Sequence, residues 1–118
     1  MHYWRHGRIA DFVATAPMVL GHEASGEVVQ LGGGVTSPRV GTRVALEPGV
    51  PCWASALSRA GRYNLDPGIV FAATPPHHGT LAQFVDHPAA WCYPLPDGVS
   101  VEENDICMST SVDDTAPR

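Results

Sequence analysis

With 118 residues, 44% of them hydrophobic, the chain can bury one modest core and leaves no room for a second full domain. Its formal charge of −5 and its 7 Lys and Arg, nowhere clustered, exclude nucleic acid and an anionic membrane surface as expected partners, leaving small molecules or protein. The opening residues Met1 to His6 hold no signal-peptide run and nowhere do about 18 apolar residues follow one another, so the expected compartment is the cytoplasm.

Gly (12) and Pro (11) are spread throughout, which breaks any long helical period and favours short strands joined by turns. Gly26 to Leu31 has strand composition and stops at Gly32-Gly33-Gly34, a run that suits a turn. Arg43 to Glu47 is the next expected strand, ended by Pro48-Gly49. Residues 51–79 carry little strand pattern and read as a long excursion. Thr80 to Val85 and Ala89 to Tyr93 complete the expected strands, the latter halted by Pro94. Short strands at this spacing suggest a small barrel or sandwich, so the expected class is mainly β. The 3 cysteines, Cys52, Cys92 and Cys107, are odd in number and widely spaced, which suits reduced thiols better than a disulfide framework.

The chemistry concentrates at Gly21-His22-Glu23, followed by Gly26, Gly32 and Val35 at the spacing of a zinc-dehydrogenase signature. An imidazole nitrogen and a carboxylate both suit Zn²⁺, and a catalytic zinc takes about three protein ligands while keeping one position open. Neighbouring side chains in an extended segment point to opposite faces. His22 and Glu23 can therefore share an ion only if the chain turns there, as flanking Gly21 and Gly26 would permit. A lone His-Glu pair is most often a surface dipeptide; the spaced pattern around this one reverses that reading.

Further stretches carry a resemblance. His2-Tyr3-Trp4 with His6-Gly7-Arg8-Ile9, Pro17 to Glu23, Arg43 to Pro51, Gly61 to Leu65, Phe71-Ala72-Ala73-Thr74-Pro75-Pro76, and Cys92-Tyr93 before Leu95-Pro96 resemble sorbitol and xylitol dehydrogenases of the zinc-containing medium-chain alcohol dehydrogenase family. That resemblance implies a partial GroES-like β-barrel over residues 1–103, shortened at its N-terminus, followed by a divergent, disordered tail over 104–118. It implies a zinc that binds a polyol hydroxyl, with His22 and Glu23 as metal ligands and Tyr3, Phe71 and Thr74 facing the substrate. Phe71 and Thr74 are equally compatible with ordinary barrel packing.

The sequence also departs from the family. A cysteine ligand and a proton-relaying serine precede His-Tyr-Trp in the family, where this chain begins with Met1 in place of a valine. Met108 stands where the family has a glutamate near the metal, and a thioether is a poor partner for Zn²⁺. The resemblance therefore implies an incomplete zinc site and no complete catalytic set. A second, structural zinc of the family would use the places of Cys52, Ser55, Ser58 and Asp66, and one thiolate cannot close such a site. No Gly-x-Gly-x-x-Gly turn leads into a helix, so the Rossmann domain is expected to be absent and NAD to belong to the parent family only. His77, His78 and His87 have no ligand spacing and are expected as solvated loop histidines.

The expectation is thus a fragment of an NAD-dependent zinc polyol dehydrogenase, inactive by itself. The family associates largely through its cofactor domain, so these residues carry no expectation of oligomeric state. Two other readings compete: a GroES-like module that binds a partner without catalysis, and the product of a truncated gene model or pseudogene, which a cooperative unfolding transition would exclude.

Overall fold

The computed structural model describes residues 2–104. They fall into two compact units, one formed by residues 2–22 and 48–85, the other by 23–47 and 86–104. Strands are short and the sheets small, and none closes into a barrel among the described residues.

The first unit opens with helix α1 (His2–His6), whose last turn carries Arg5 and His6, the sign that complements exposed helix carbonyls. Gly7, at φ 66°, ends it by donating its amide to the Tyr3 carbonyl. A hairpin follows, β1 (Arg8–Ile9) antiparallel to β2 (Phe12–Val13), with Ile9 opposite Phe12. Its turn puts Ala10 at φ 48°, where the Arg8 guanidinium donates twice to the Ala10 carbonyl. Neither α1 nor this hairpin was expected from the sequence. Both are too short to show a period, and every residue of the two strands is exposed.

Just ahead of the expected excursion, β5 (Gly49–Val50) pairs antiparallel with β6 (Val70–Phe71) inside it. The loop between them holds α2 (Ala56–Arg59) and a 3₁₀ turn (Tyr63–Leu65). Ser55 N-caps α2 by accepting the Ser58 amide at 3.1 Å. The excursion is therefore structured by side-chain caps and short pairings that leave no periodic trace.

The second unit is a three-stranded antiparallel sheet in the order β3 (Ser25–Glu27), β4 (Arg43–Leu46), β7 (Cys92–Pro94). Its register sets Gly26 against Val44 and Ala45 against Tyr93. Val44, 3% exposed on the central strand, and buried Trp91 form its apolar centre. Pro94, which has no amide to donate, lies on an edge strand. Arg43 reaches the Val99 carbonyl at 2.7 Å, and Ser25 donates its hydroxyl to the Val101 carbonyl at 2.7 Å. Ser100 and Glu103 cap each other's amides, a reciprocal pair that starts a helical turn at residue 101.

Strand β4 lies where the sequence placed it; others differ. The strand expected over 26–31 is regular only to Glu27; beyond it Val28 still pairs, its amide on the Thr42 carbonyl at 3.0 Å and its carbonyl accepting the Gly41 amide at 2.8 Å, before the chain leaves the sheet. Gly34 (φ 80°) and the Val35 amide on the Gly32 carbonyl make the expected turn. The segment 80–85 is no strand, since its first amides are spent on residues 20 and 21 and Ala82 then folds back to the Thr80 carbonyl. Residues 89–91 wind as a 3₁₀ turn, and the strand starts only at Cys92. The divergent tail expected over 104–118 lies, beyond Asn104, outside the described residues, as do Met1, Cys107 and Met108.

Candidate functional site

His22 ends the first segment of the first unit, directly after Gly21, which sits at φ 92°, and no turn or bend is formed over residues 17–24. Its imidazole is exposed and faces the ring of Phe71, with centroids 5.8 Å apart and planes tilted by 51°. Phe71 is half-buried and fixed by its place on β6, opposite Gly49. Just beyond it the chain turns tightly: Ala73 is buried at φ 56°, the Thr74 amide donates to the Phe71 carbonyl at 3.2 Å, and the Thr74 carbonyl accepts from His77 at 2.8 Å. Two of the residues singled out for substrate, Phe71 and Thr74, thus share one turn, and the first of them meets His22. Tyr3 is half-buried on α1. Glu23 is exposed and belongs to the second unit.

The donor set falls short of a zinc site. Among the described residues no group of at least 3 His, Cys, Asp or Glu side chains converges so as to hold a metal ion. His22 and Glu23 have suitable donor atoms, but two ligands leave a zinc shell unfilled.

The four places of the family's structural metal do converge. Asp66, 2% exposed, accepts the Cys52 amide at 2.9 Å, the Gly68 amide at 3.0 Å, the Cys52 thiol at 3.4 Å and the Ser58 hydroxyl. Ser58 is 1% exposed and is also tied to Ser55 at 3.2 Å. The Ser58 hydroxyl first, then the Gly68 amide and both Cys52 donors, hold the Asp66 carboxyl far below the usual carboxylate range against the opposing pull of burial. This knot of hydrogen bonds was missed because serine and cysteine at metal-site spacing read only as lost ligands. The signal available was the carboxylate at the fourth place, the one strong acceptor of the group.

Of the three histidines expected to be solvated, His78 is exposed, and His77 and His87 are half-buried. The His78 Nδ1 accepts the Val19 amide at 3.1 Å. His87 is half-buried and donates a ring N–H to the Glu47 carbonyl, while its Nε2 is buried without a partner. Desolvation pushes the His87 imidazole below its usual value, outweighing that bond and the nearby Glu47 charge, which both act upward. Burial likewise pushes the Cys92 thiol up. Among the described residues no helix is long and apolar enough to cross a membrane.

Residues 1–97 match the alcohol dehydrogenase GroES-like domain, and the chain belongs to that family, of which it is a mainly β, partial representative. It is 54% identical over 112 residues to a sorbitol dehydrogenase of Gallus gallus, covering 95% of this chain and 32% of the relative. It is 53% identical over 103 residues to a probable D-xylulose reductase A of Aspergillus clavatus, covering 87% of this chain and 29% of that protein. Among solved structures it is similar to L-idonate 5-dehydrogenase of Escherichia coli, with a TM-score of 0.78 and 27% identity over 86% of this chain and 30% of the other. The chain spans about a third of the length of the curated relatives it matches.

Proposed function

We propose that this chain is the catalytic-domain portion of an NAD-linked zinc polyol dehydrogenase acting on a sugar alcohol of the sorbitol or xylitol class, and that it is inactive alone. The observation that carries the reading is His22 set against Phe71 beside the Ala73-Thr74 turn, within a segment similar to named sorbitol dehydrogenases and D-xylulose reductases. In this reading the aromatic face and the Thr74 turn form one wall of a polyol site. His22 and Glu23 are the groups this chain contributes toward a zinc that would polarise the substrate hydroxyl. Because the described residues do not complete a zinc shell, no step of the oxidation is derived from them.

Exposed apolar side chains support the part-protein reading. In the first unit Trp4 is 82%, Leu81 79% and Phe84 69% exposed, side chains that further chain of a larger protein would cover in this reading.

The experiment is a pair of assays. The chain alone, incubated with NAD and sorbitol or xylitol, should form no NADH. Residues 2–97, exchanged into the matching segment of the Gallus gallus sorbitol dehydrogenase, should leave a folded hybrid that oxidises polyols in preference to ethanol. Turnover by the isolated chain would refute its inactivity; a folded hybrid without polyol turnover would refute the substrate class.

A further inference from the structure

The segment leading into His22 is held almost wholly by residues 78–81. The Gly79 amide donates to the Val19 carbonyl at 2.8 Å, the Leu81 amide to the Leu20 carbonyl at 2.8 Å, and the Thr80 amide to the Gly21 carbonyl at 2.9 Å. All three bonds run from strap to segment, so they tie down carbonyls and leave the Val19 amide unmatched by backbone. His78 supplies that match: its Nδ1 accepts the Val19 amide at 3.1 Å. The approach is close, because a Cβ on Gly79 would lie 2.2 Å from the Gly21 oxygen. Directly after this segment the His22 ring meets Phe71, which its own strand pairing keeps in place.

We propose that His78 is a positioning residue for His22: its Nδ1 fixes the Val19 amide, completes the 78–81 strap over residues 19–21, and so sets the backbone from which the His22 imidazole faces Phe71. Four hydrogen bonds then define the three residues before His22, and only this one comes from a side chain. The bond requires the tautomer with the proton on Nε2, since a nitrogen that accepts an amide cannot carry its own hydrogen. It is exposed to water, so its value lies in fixing geometry more than in stability. The significance of a fixed His22 rests on the polyol dehydrogenase reading; the positioning does not.

Nuclear magnetic resonance on the full chain tests this without any substrate. In the unmodified protein a through-bond coupling between the Val19 amide nitrogen and His78 Nδ1 is expected, with a His78 Nδ1 resonance typical of an unprotonated ring nitrogen. The ring protons of His22 should be displaced by the Phe71 ring current. In His78→Leu the His22 resonances should move toward those of an unstructured histidine, and Val19 amide exchange should quicken at least about tenfold, the factor expected for about 1.4 kcal/mol of lost protection. His78→Asn, which offers an acceptor oxygen near the place of Nδ1, should restore both. A folded His78→Leu with unchanged His22 resonances and Val19 exchange would overturn the proposal, as would failure of His78→Asn to restore them. Should His78→Leu not fold, the coupling in the unmodified chain decides, and its absence overturns the proposal. A hybrid dehydrogenase without polyol turnover would refute the functional reading and leave these resonances unaffected.

Discussion

Replacing Gly79 with alanine inserts a Cβ 2.2 Å from the Gly21 oxygen and 2.5 Å from the Leu20 carbonyl carbon and oxygen. All three atoms are backbone, so no side chain can swing away and the strap must lift from residues 19–21. Lifting it stretches or breaks the Gly79, Thr80 and Leu81 amide bonds. At about 0.5–1.5 kcal/mol net for each bond, the loss is roughly 1.5–4.5 kcal/mol, similar to the about 1–3 kcal/mol usual for overpacking. The smaller entropy of an unfolded alanine returns about 0.4–1 kcal/mol. The expected net loss is therefore about 1–4 kcal/mol, a large share of what a small domain possesses. Urea unfolding followed by tryptophan fluorescence should show it as a midpoint lowered by roughly 0.7–2.7 M, taking a slope near 1.5 kcal/mol/M. Gly33→Ala is the control, because nothing lies within 4 Å of a Cβ built there and its φ is not positive. Equal midpoints for Gly79→Ala and Gly33→Ala would refute the close approach and the strap built on it.

Three further outcomes are expected. The Asp66 carboxyl is held well below its ordinary value, so its stabilising contribution is in place above about pH 4 and is lost as pH falls below that. Asp66→Asn should flatten this acid limb of unfolding midpoint against pH, and an unaltered limb would show that the knot around Asp66 carries none of it. His87, pushed below its ordinary value by desolvation, contributes stability above about pH 6.5 that declines as pH falls, because the unfolded imidazole takes up its proton first. His87→Asn should make the profile between pH 5 and 7 shallower. Ala73, 5% exposed at φ 56°, should reject a branched side chain, with Ala73→Val losing at least about 1–2 kcal/mol and Ala73→Gly much less in the same urea assay.

Family membership was legible from sequence because its marks are contiguous: Gly21-His22-Glu23 with its spaced glycines, and the Phe71 to Pro76 stretch, need no knowledge of what lies opposite. Strand β4 was legible for a similar reason. Arg43 to Leu46 has strand composition, is stopped by Pro48, and sits centrally with a partner on each side, so local preference and tertiary pairing agree.

What failed was whatever depended on a distant partner. Thr80 to Val85 has strand composition, yet a strand needs a continuous ladder, and here only residues 79–81 find carbonyls, on a segment about 60 positions earlier in the chain. His87 read as solvated, and the bond made by exposed His78 went unforeseen, because nothing beside them in the sequence announces the Glu47 carbonyl or the Val19 amide. The vacated metal places read as losses until the fold brought Cys52, Ser58 and Gly68 around Asp66. The sequence by itself determined residue chemistry and short-range backbone preference, and through these the family. The tertiary structure alone decided which donor meets which acceptor, because a hydrogen bond is a matter of about 3 Å between atoms and sequence distance does not encode it.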